Sequence, residues 1–306
     1  MVRGFICGPS SARQPLGEDA SRFEVTAACD SSHIGELARA TTADVLVLDS
    51  YGIDDATLDT LRNAARVRVV IDDIADRRLR VEAVINGAIG AESLPYVRSP
   101  QTALLLGGRY ALLPPELASS AAFEPRPTCE RVVVTLGSAD RLRASSVVAE
   151  AVLSGMRRAT VDVAVGPFFD SVEDLEALRQ RSSRVRLHYN ADVRTLARGA
   201  DLAVSAGGQT TYELAALMVP TIALIEAENQ RPSVMALVHH GAMLTGTMPG
   251  AEGSDIELRE LIRQVDLDLE LRSQLAARAA ELIDGNGAVR AAEAILALLR
   301  ASSRTT

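Results

Sequence analysis

The residues best suited to chemistry lie in segment 203–213, where Ser205, Ala206, Gly207, Gly208, Gln209 and Thr210 follow an apolar run and lead into a helical pattern carrying Glu213. Paired glycines after a buried strand remove the side chains that would hold a ligand away. The free amides of Gly208, Gln209 and Thr210, with the positive end of the helix dipole, suit a diphosphate. Glu213, about one turn into the helix, can accept from two vicinal ribose hydroxyls. The same spacing also fits an ordinary strand-to-helix turn in which Thr210 caps the helix and Glu213 completes a capping box.

Other segments place polar groups at the ends of apolar runs. Gly137 and Ser138, before Asp140, form a second strand-to-helix turn, and Asn229 and Gln230 follow the run Thr221 to Ile225, where they are neutral donors for phosphate or sugar, or Asn229 is a helix cap. In the first half, Asp49 and Tyr51 close the run Val45 to Asp49, and Asp72, Asp73, Asp76 and Arg77 follow one strand later. Three acids in this loop are compatible with Mg²⁺ or with a charged turn, and no metal is expected. The pair Asp266 and Asp268 falls in a helical stretch, far from any strand end. His33, His188, His239 and His240 show no metal-ligand spacing, and no G-x-S-x-G elbow is present.

All 32 basic residues are arginine. The absence of lysine excludes a Walker A phosphate loop, a pyridoxal or aldolase Schiff base and a lysine general base. A net charge of -8 with 3% aromatic residues argues against a nucleic-acid surface. Cys7, Cys29 and Cys129 are widely spaced, which predicts buried thiols in place of disulfides or a zinc site. With no signal-peptide layout and no long apolar span, a cytoplasmic protein without membrane insertion is expected.

A composition of 47% hydrophobic and 24% charged residues over 306 positions provides for two cores. Strand and helix signals alternate along most of the chain, the pattern of parallel sheets covered by helices. Strands are expected at Val2 to Cys7, Phe23 to Ala27, Val45 to Asp49, Val67 to Asp72, Thr102 to Leu106, Arg131 to Leu136, Thr160 to Val165, Val185 to His188, Leu202 to Ser205 and Thr221 to Ile225. Helices are expected at Asp54 to Ala65, Ser145 to Met156, Ser171 to Gln180 and Thr210 to Leu217, with Ser171 and Asp174 as a capping box and Asn190 as cap of the helix ending at Gly199. The tail from Asp268 to Leu299 reads as two amphipathic helices joined at Asp284 to Gly287. The proline-rich stretch 114–127 suits a linker. It divides an N-terminal domain (1–120) from a C-terminal one (126–290), followed by a terminal helix and tail (291–306). The fold class is α/β: two doubly wound Rossmann-like domains on either side of a cleft, with ligands beyond the carboxyl ends of the strands.

Five segments occur in an order that resembles one family: 49–54 (Asp-Ser-Tyr-Gly-Ile-Asp), 70–77 (Val-Ile-Asp-Asp-Ile-Ala-Asp-Arg), 106–113 (Leu-Gly-Gly-Arg-Tyr-Ala-Leu-Leu), 205–214 and Asn229-Gln230, with a similar tail at 284–290. Together they are similar to the UDP-sugar hydrolases of the pseudaminic-acid pathway, whose usual substrate is UDP-2,4-diacetamido-2,4,6-trideoxy-β-L-altropyranose and whose fold is of the GT-B glycosyltransferase type. The resemblance implies UDP on the second domain, its diphosphate at Gly207, Gly208 and Ser138 and its ribose on Glu213, with Tyr110 and Gln230 as further binding residues. Water attacks the anomeric carbon with inversion. Tyr51 and Asn229 are the retained active-site residues, and no cofactor is required. The family's N-terminal G-x-G-H-x-x-R segment, which carries its histidine base, has no counterpart here, so the first domain is expected to be shortened at its front and the base either to be lost with that segment or to be replaced by Asp49. His33 lies too near Asp49 in sequence to be that histidine. The alternatives are a GT-B glycosyltransferase, in which an acceptor hydroxyl replaces water, and a non-catalytic UDP-sugar-binding paralogue.

Overall fold

A computed structural model of the chain describes residues 2–6, 23–27, 43–49, 51–118, 126–140, 142–250 and 253–303. Cys7, Cys29 and His33 lie outside the described residues. The chain divides into two units: Met1–Leu112 with Asn286–Thr306, and Leu113–Gly285. The break thus falls ahead of the proline-rich stretch, and the terminal segment groups with the first unit.

In the first unit, β1 (Val2–Ile6), β2 (Phe23–Ala27), β3 (Ala43–Asp49), β4 (Ala65–Ile71), β6 (Ala83–Asn86) and β8 (Ala103–Leu106) form one parallel sheet in the order β2-β1-β3-β4-β6-β8. The short strands β5 (Arg78–Leu79) and β7 (Val97–Arg98) pair separately. Leu46, Leu48, Val70 and Val84 pack on one face of the sheet, and Val45, Val67, Val69 and Ala83 on the other, as the near-continuous apolar runs of a two-sided sheet require.

The expected helix after β3 is shorter than its pattern. α1 covers Asp55–Thr60, capped by Asp54 accepting from the Thr57 amide at 2.8 Å, and Ala65 already belongs to β4.

In the second unit the parallel sheet is β9 (Arg131–Thr135), β10 (Thr160–Val165), β11 (Val185–Tyr189), β12 (Leu202–Ala206), β13 (Thr221–Leu224) and β14 (Leu244–Gly246), in the order β11-β10-β9-β12-β13-β14. This is the doubly wound 3-2-1-4-5-6 arrangement, whose direction reverses between the first and fourth strands. Its connecting helices are α2 (Ala144–Gly155), α3 (Glu173–Arg181), α4 (Val193–Ala197), α5 (Thr210–Ala216), α6 (Arg231–His239), α7 (Ser254–Leu267) and α8 (Leu269–Leu282). The last helix, α9 (Gly287–Ser302), returns to the first unit and packs on β4.

Two expected caps are replaced. Ser171 Oγ accepts from the Glu173 amide at 3.3 Å, but the cap residue of α3 is Val172 and no reciprocal box forms. Asn190 takes a left-handed φ of 51° after β11, a conformation asparagine tolerates, so α4 is capped by Asp192 instead. Asp266 and Asp268 also do structural tasks: Asp266 Oδ1 accepts from the Cys129 amide and Asp268 caps α8.

Arg272 is fully buried and donates to the carbonyls of Val265, Asp266, Arg126 and Pro127. It ties the start of the second unit to the junction of α7 and α8. Cys129 is buried, and loss of water pushes its thiol up to about 12. Among the described residues no helix is long and apolar enough to cross a membrane.

Candidate functional site: a backbone cradle at the sheet reversal of the second unit

The loops after β9 and β12 emerge at the point where strand order reverses, the position at which open α/β sheets hold ligands. After β9, Gly137 adopts φ 96°, a left-handed value that glycine reaches without steric cost. The next residue is held from behind: the Ser138 carbonyl accepts from the Phe168 amide at 3.0 Å. A Cβ on Gly166 would lie 2.4 Å from that same carbonyl oxygen, so only glycine lets the β10 loop rest there.

Asp140, mostly buried, accepts from the amides of Ala144 (2.8 Å) and Ser145 (3.0 Å) at the start of α2. The anion place at that helix end is thus filled by the chain's own carboxylate.

The turn after β12 differs. None of the described residues accepts from the amides of Gly208, Gln209 or Thr210. The cap residue of α5 is Gln209, with no side-chain cap, so the Thr210–Glu213 capping box does not form. The two glycines have separate reasons. Gly207 donates its amide to the Leu224 carbonyl at 3.0 Å, and a Cβ there would lie 2.6 Å from Val234 Cγ2, so this glycine lets α6 pack closely. Gly208 has no such constraint: a Cβ would meet nothing within 4 Å.

These loops surround a hollow of about 490 Å³. Of the predicted residues it brings together Gly137, Ser138, Ser205, Ala206, Gly208, Thr210 and Gln230, with Leu142 as a lining residue the sequence reading did not select and Glu226, which opens the candidate segment 226–230, as one to which it gave no role. Ser205 is fully buried and its hydroxyl donates to the Ala206 carbonyl at 3.0 Å, so it contributes shape more than a free donor. Gln230 Oε1 accepts from the amides of Glu226 (3.0 Å) and Ala227 (3.4 Å), which leaves its NH₂ as a donor. Gly207, Gln209, Glu213 and Asn229 do not line the hollow. Asn229 is exposed in the 3₁₀ turn Glu228–Gln230 and caps nothing. Glu213 is half-buried; loss of water raises its carboxyl above the usual glutamate range, opposed by Arg194.

The remaining predicted residues belong to the first unit. Asp49 ends β3, where loss of water first and the charge of Asp73 second raise its carboxyl above the ordinary range. The Tyr51 ring is 70% exposed and its hydroxyl donates to Asp73 Oδ2 at 2.8 Å. That hydrogen bond is the main reason the phenol is raised. The Tyr51 carbonyl accepts from Arg77 at 3.0 Å, and Arg77 pairs with buried Asp72 at 3.0 Å.

Asp72 is itself fixed. Its Oδ2 accepts from the Ala75 amide (2.9 Å) and its carbonyl from the Tyr96 hydroxyl (2.7 Å), which in turn accepts from Asn86 at 2.9 Å. Sequence reasoning missed Tyr96 and Asn86 because neither stands in a recognisable spacing. Tyr110 does not join this group: its ring packs against the apolar cluster shared with Ile295 and Leu298 of α9. Among the described residues no group of three or more His, Cys, Asp or Glu is placed to hold a metal ion.

No known family profile matches the chain. It is 21% identical over 254 residues to the uncharacterized protein MJ1062 of Methanocaldococcus jannaschii, covering 77% of this chain and 52% of that protein, and so spans about half of that relative's length. It is 24% identical over 257 residues to the spore coat polysaccharide biosynthesis protein SpsG of Bacillus subtilis, covering 81% of this chain and 74% of SpsG. Among solved structures, a candidate UDP-N-acetylglucosamine 2-epimerase of Listeria monocytogenes aligns with a TM-score of 0.62 at 13% identity, over 100% of this chain and 97% of that one. HepE of Anabaena in complex with UDP aligns with a TM-score of 0.55 at 14% identity, over 97% and 100%. The chain has a Rossmann-like α/β fold of the GT-B type.

Proposed function

We propose that the second unit binds the diphosphate of a UDP-sugar in its hollow and that the chain is a nucleotide-sugar hydrolase of nonulosonic (pseudaminic) acid biosynthesis. Its proposed substrate is UDP-2,4-diacetamido-2,4,6-trideoxy-β-L-altropyranose. The observation that carries the reading is Gly208: its amide has no acceptor among the described residues, its Cβ would meet nothing, and it lines the hollow at the start of α5. A glycine the fold does not need, beside unused amides, fits a ligand that approaches the backbone closely and carries negative charge. The UDP bound to HepE and the UDP-sugar named for the Listeria protein support a uridine diphosphate as that ligand. The sugar rests on the five-segment resemblance.

In this reading water attacks the anomeric carbon, the carbon–oxygen bond to the β-phosphate breaks, and its electron pair leaves on UDP. Amides around the diphosphate stabilise that charge, so the main demand is a base for the water's proton. Asp49 takes it: partial loss of water and the charge of Asp73 raise its exposed carboxyl, which makes it a better base than an unperturbed aspartate. Tyr51 and Asn229 are the other active-site residues, Glu213 holds the ribose, and Gln230 and Ser138 serve as donors.

The test is UDP release from that substrate by the purified chain without acceptor, with the sugar anomer followed by NMR. Release with the inverted anomer appearing first is expected. Release only when an acceptor alcohol is added would replace hydrolysis by transfer, and UDP binding without release under either condition would leave a binding protein.

A further inference from the structure

Among the described residues lining the hollow of the second unit one side chain is ionisable, and its sign is wrong for a phosphate. Every other described lining residue is neutral; the exception is Glu226, two residues after β13. It is exposed, and its carboxylate has no hydrogen-bond or ion-pair partner among the described residues. Its backbone is fixed nonetheless, because Gln230 Oε1 accepts from the amides of Glu226 and Ala227 and closes the turn.

At neutral pH a diphosphate offers no proton to a carboxylate and repels it. A carboxylate beside a donor-rich backbone wall is useful when the ligand also brings O–H or N–H groups, which it binds more strongly than a neutral acceptor does. We propose that Glu226 is the specificity-determining residue of the hollow, accepting hydrogen bonds from the hydroxyl or acylamino N–H groups of the sugar attached to the diphosphate. The hollow then selects a nucleoside diphosphate sugar over the free nucleoside diphosphate. The inference rests on the nucleotide reading above and adds to it the chemistry of the sugar.

Product release follows from the same charge. Hydrolysis turns the sugar-esterified β-phosphate into the free terminal phosphate of a diphosphate, whose second ionisation lies near neutrality, so free UDP is the more negative ligand. Glu226 favours the substrate by hydrogen bonding and disfavours the product by repulsion. A substitution that merely loosened the loop would weaken both.

Titration calorimetry with UDP and with the phosphonate analogue of the UDP-sugar, in which CH₂ replaces the scissile anomeric oxygen so that it cannot be hydrolysed, on wild type and Glu226→Gln, each with and without EDTA, separates these cases. Removing one charge and one strong acceptor is expected to leave UDP affinity equal or up to about threefold tighter, and to weaken the UDP-sugar analogue at least about fivefold. EDTA changes neither. Parallel weakening of both ligands, or an unchanged affinity for the analogue, would overturn the assignment. So would a wild-type UDP affinity that EDTA reduces and that Glu226→Gln makes insensitive to EDTA, because Glu226 would then hold a cation. A wild type that binds neither ligand rejects the nucleotide reading itself, and the role of Glu226 with it.

Discussion

The Tyr51 hydroxyl donates to Asp73 Oδ2 at 2.8 Å while its backbone carbonyl accepts from Arg77, so an exposed tyrosine is held at both its side chain and its backbone. Asp73 acts on two neighbours through this position: it raises the Tyr51 phenol by hydrogen bonding and the Asp49 carboxyl by its charge.

Neutralising Asp73 therefore shifts the pH dependence of turnover in a defined direction. Asp49 works as base only when ionised, so activity falls as pH drops through its raised pKa. With Asp73→Asn the like charge is gone, the Asp49 carboxyl ionises more readily, and the acidic limb of the kcat profile moves to lower pH. An acidic limb in the same place, measured from pH 3.5 to 8, would remove Asp49 from the role of base.

Two glycines of the second unit are expected to respond oppositely to alanine. Gly166→Ala puts a methyl 2.4 Å from the Ser138 carbonyl oxygen, so overpacking costs about 1–3 kcal/mol in urea unfolding. Gly208→Ala enters open space and leaves stability unchanged or raised by up to about 1 kcal/mol.

Asp162 gives the second unit an acid-sensitive step. It is 1% exposed; burial pushes its carboxyl up, but Arg131 (2.6 Å) and His188 (2.7 Å) outweigh that and hold it below the usual range. A depressed folded-state pKa means the stabilisation is present above the unfolded value and is lost as pH falls through the folded one. The urea midpoint of the wild type should accordingly drop below about pH 4, and Asp162→Asn should be less stable at neutral pH and flatter over the acid range. Parallel curves for the two proteins would contradict this.

The sheet of the second unit is legible because each buried strand is a continuous apolar run, as Arg131–Thr135 and Leu202–Ala206 illustrate. The short strands β14 at the sheet edge and β6 inside the other sheet escape, whereas the equally short β8 and β13 are legible because each sits in a slightly longer apolar run. The turn after β12 is legible from paired glycines, but the distinction between them is not, since Gly207 makes room for Val234 whereas a Cβ on Gly208 would meet none of the described residues. That the turn after β9 is already filled is equally hidden, because an aspartate four residues ahead of Ala144 looks like any loop residue until the helix start is placed. Tyr110 sits in a family-like motif and yet packs in the core, for the motif leaves undetermined which side of a strand end an aromatic ring covers.

Whether the amides at Gly208 receive a diphosphate is decided by UDP titration calorimetry on wild type and Gly208→Val, with urea unfolding of both as control. Saturable one-to-one binding to the wild type, a loss of at least about tenfold or 1.4 kcal/mol in the variant, and closely similar unfolding midpoints are the predicted result. No binding to the wild type, or equal affinity in a folded Gly208→Val, would contradict the account.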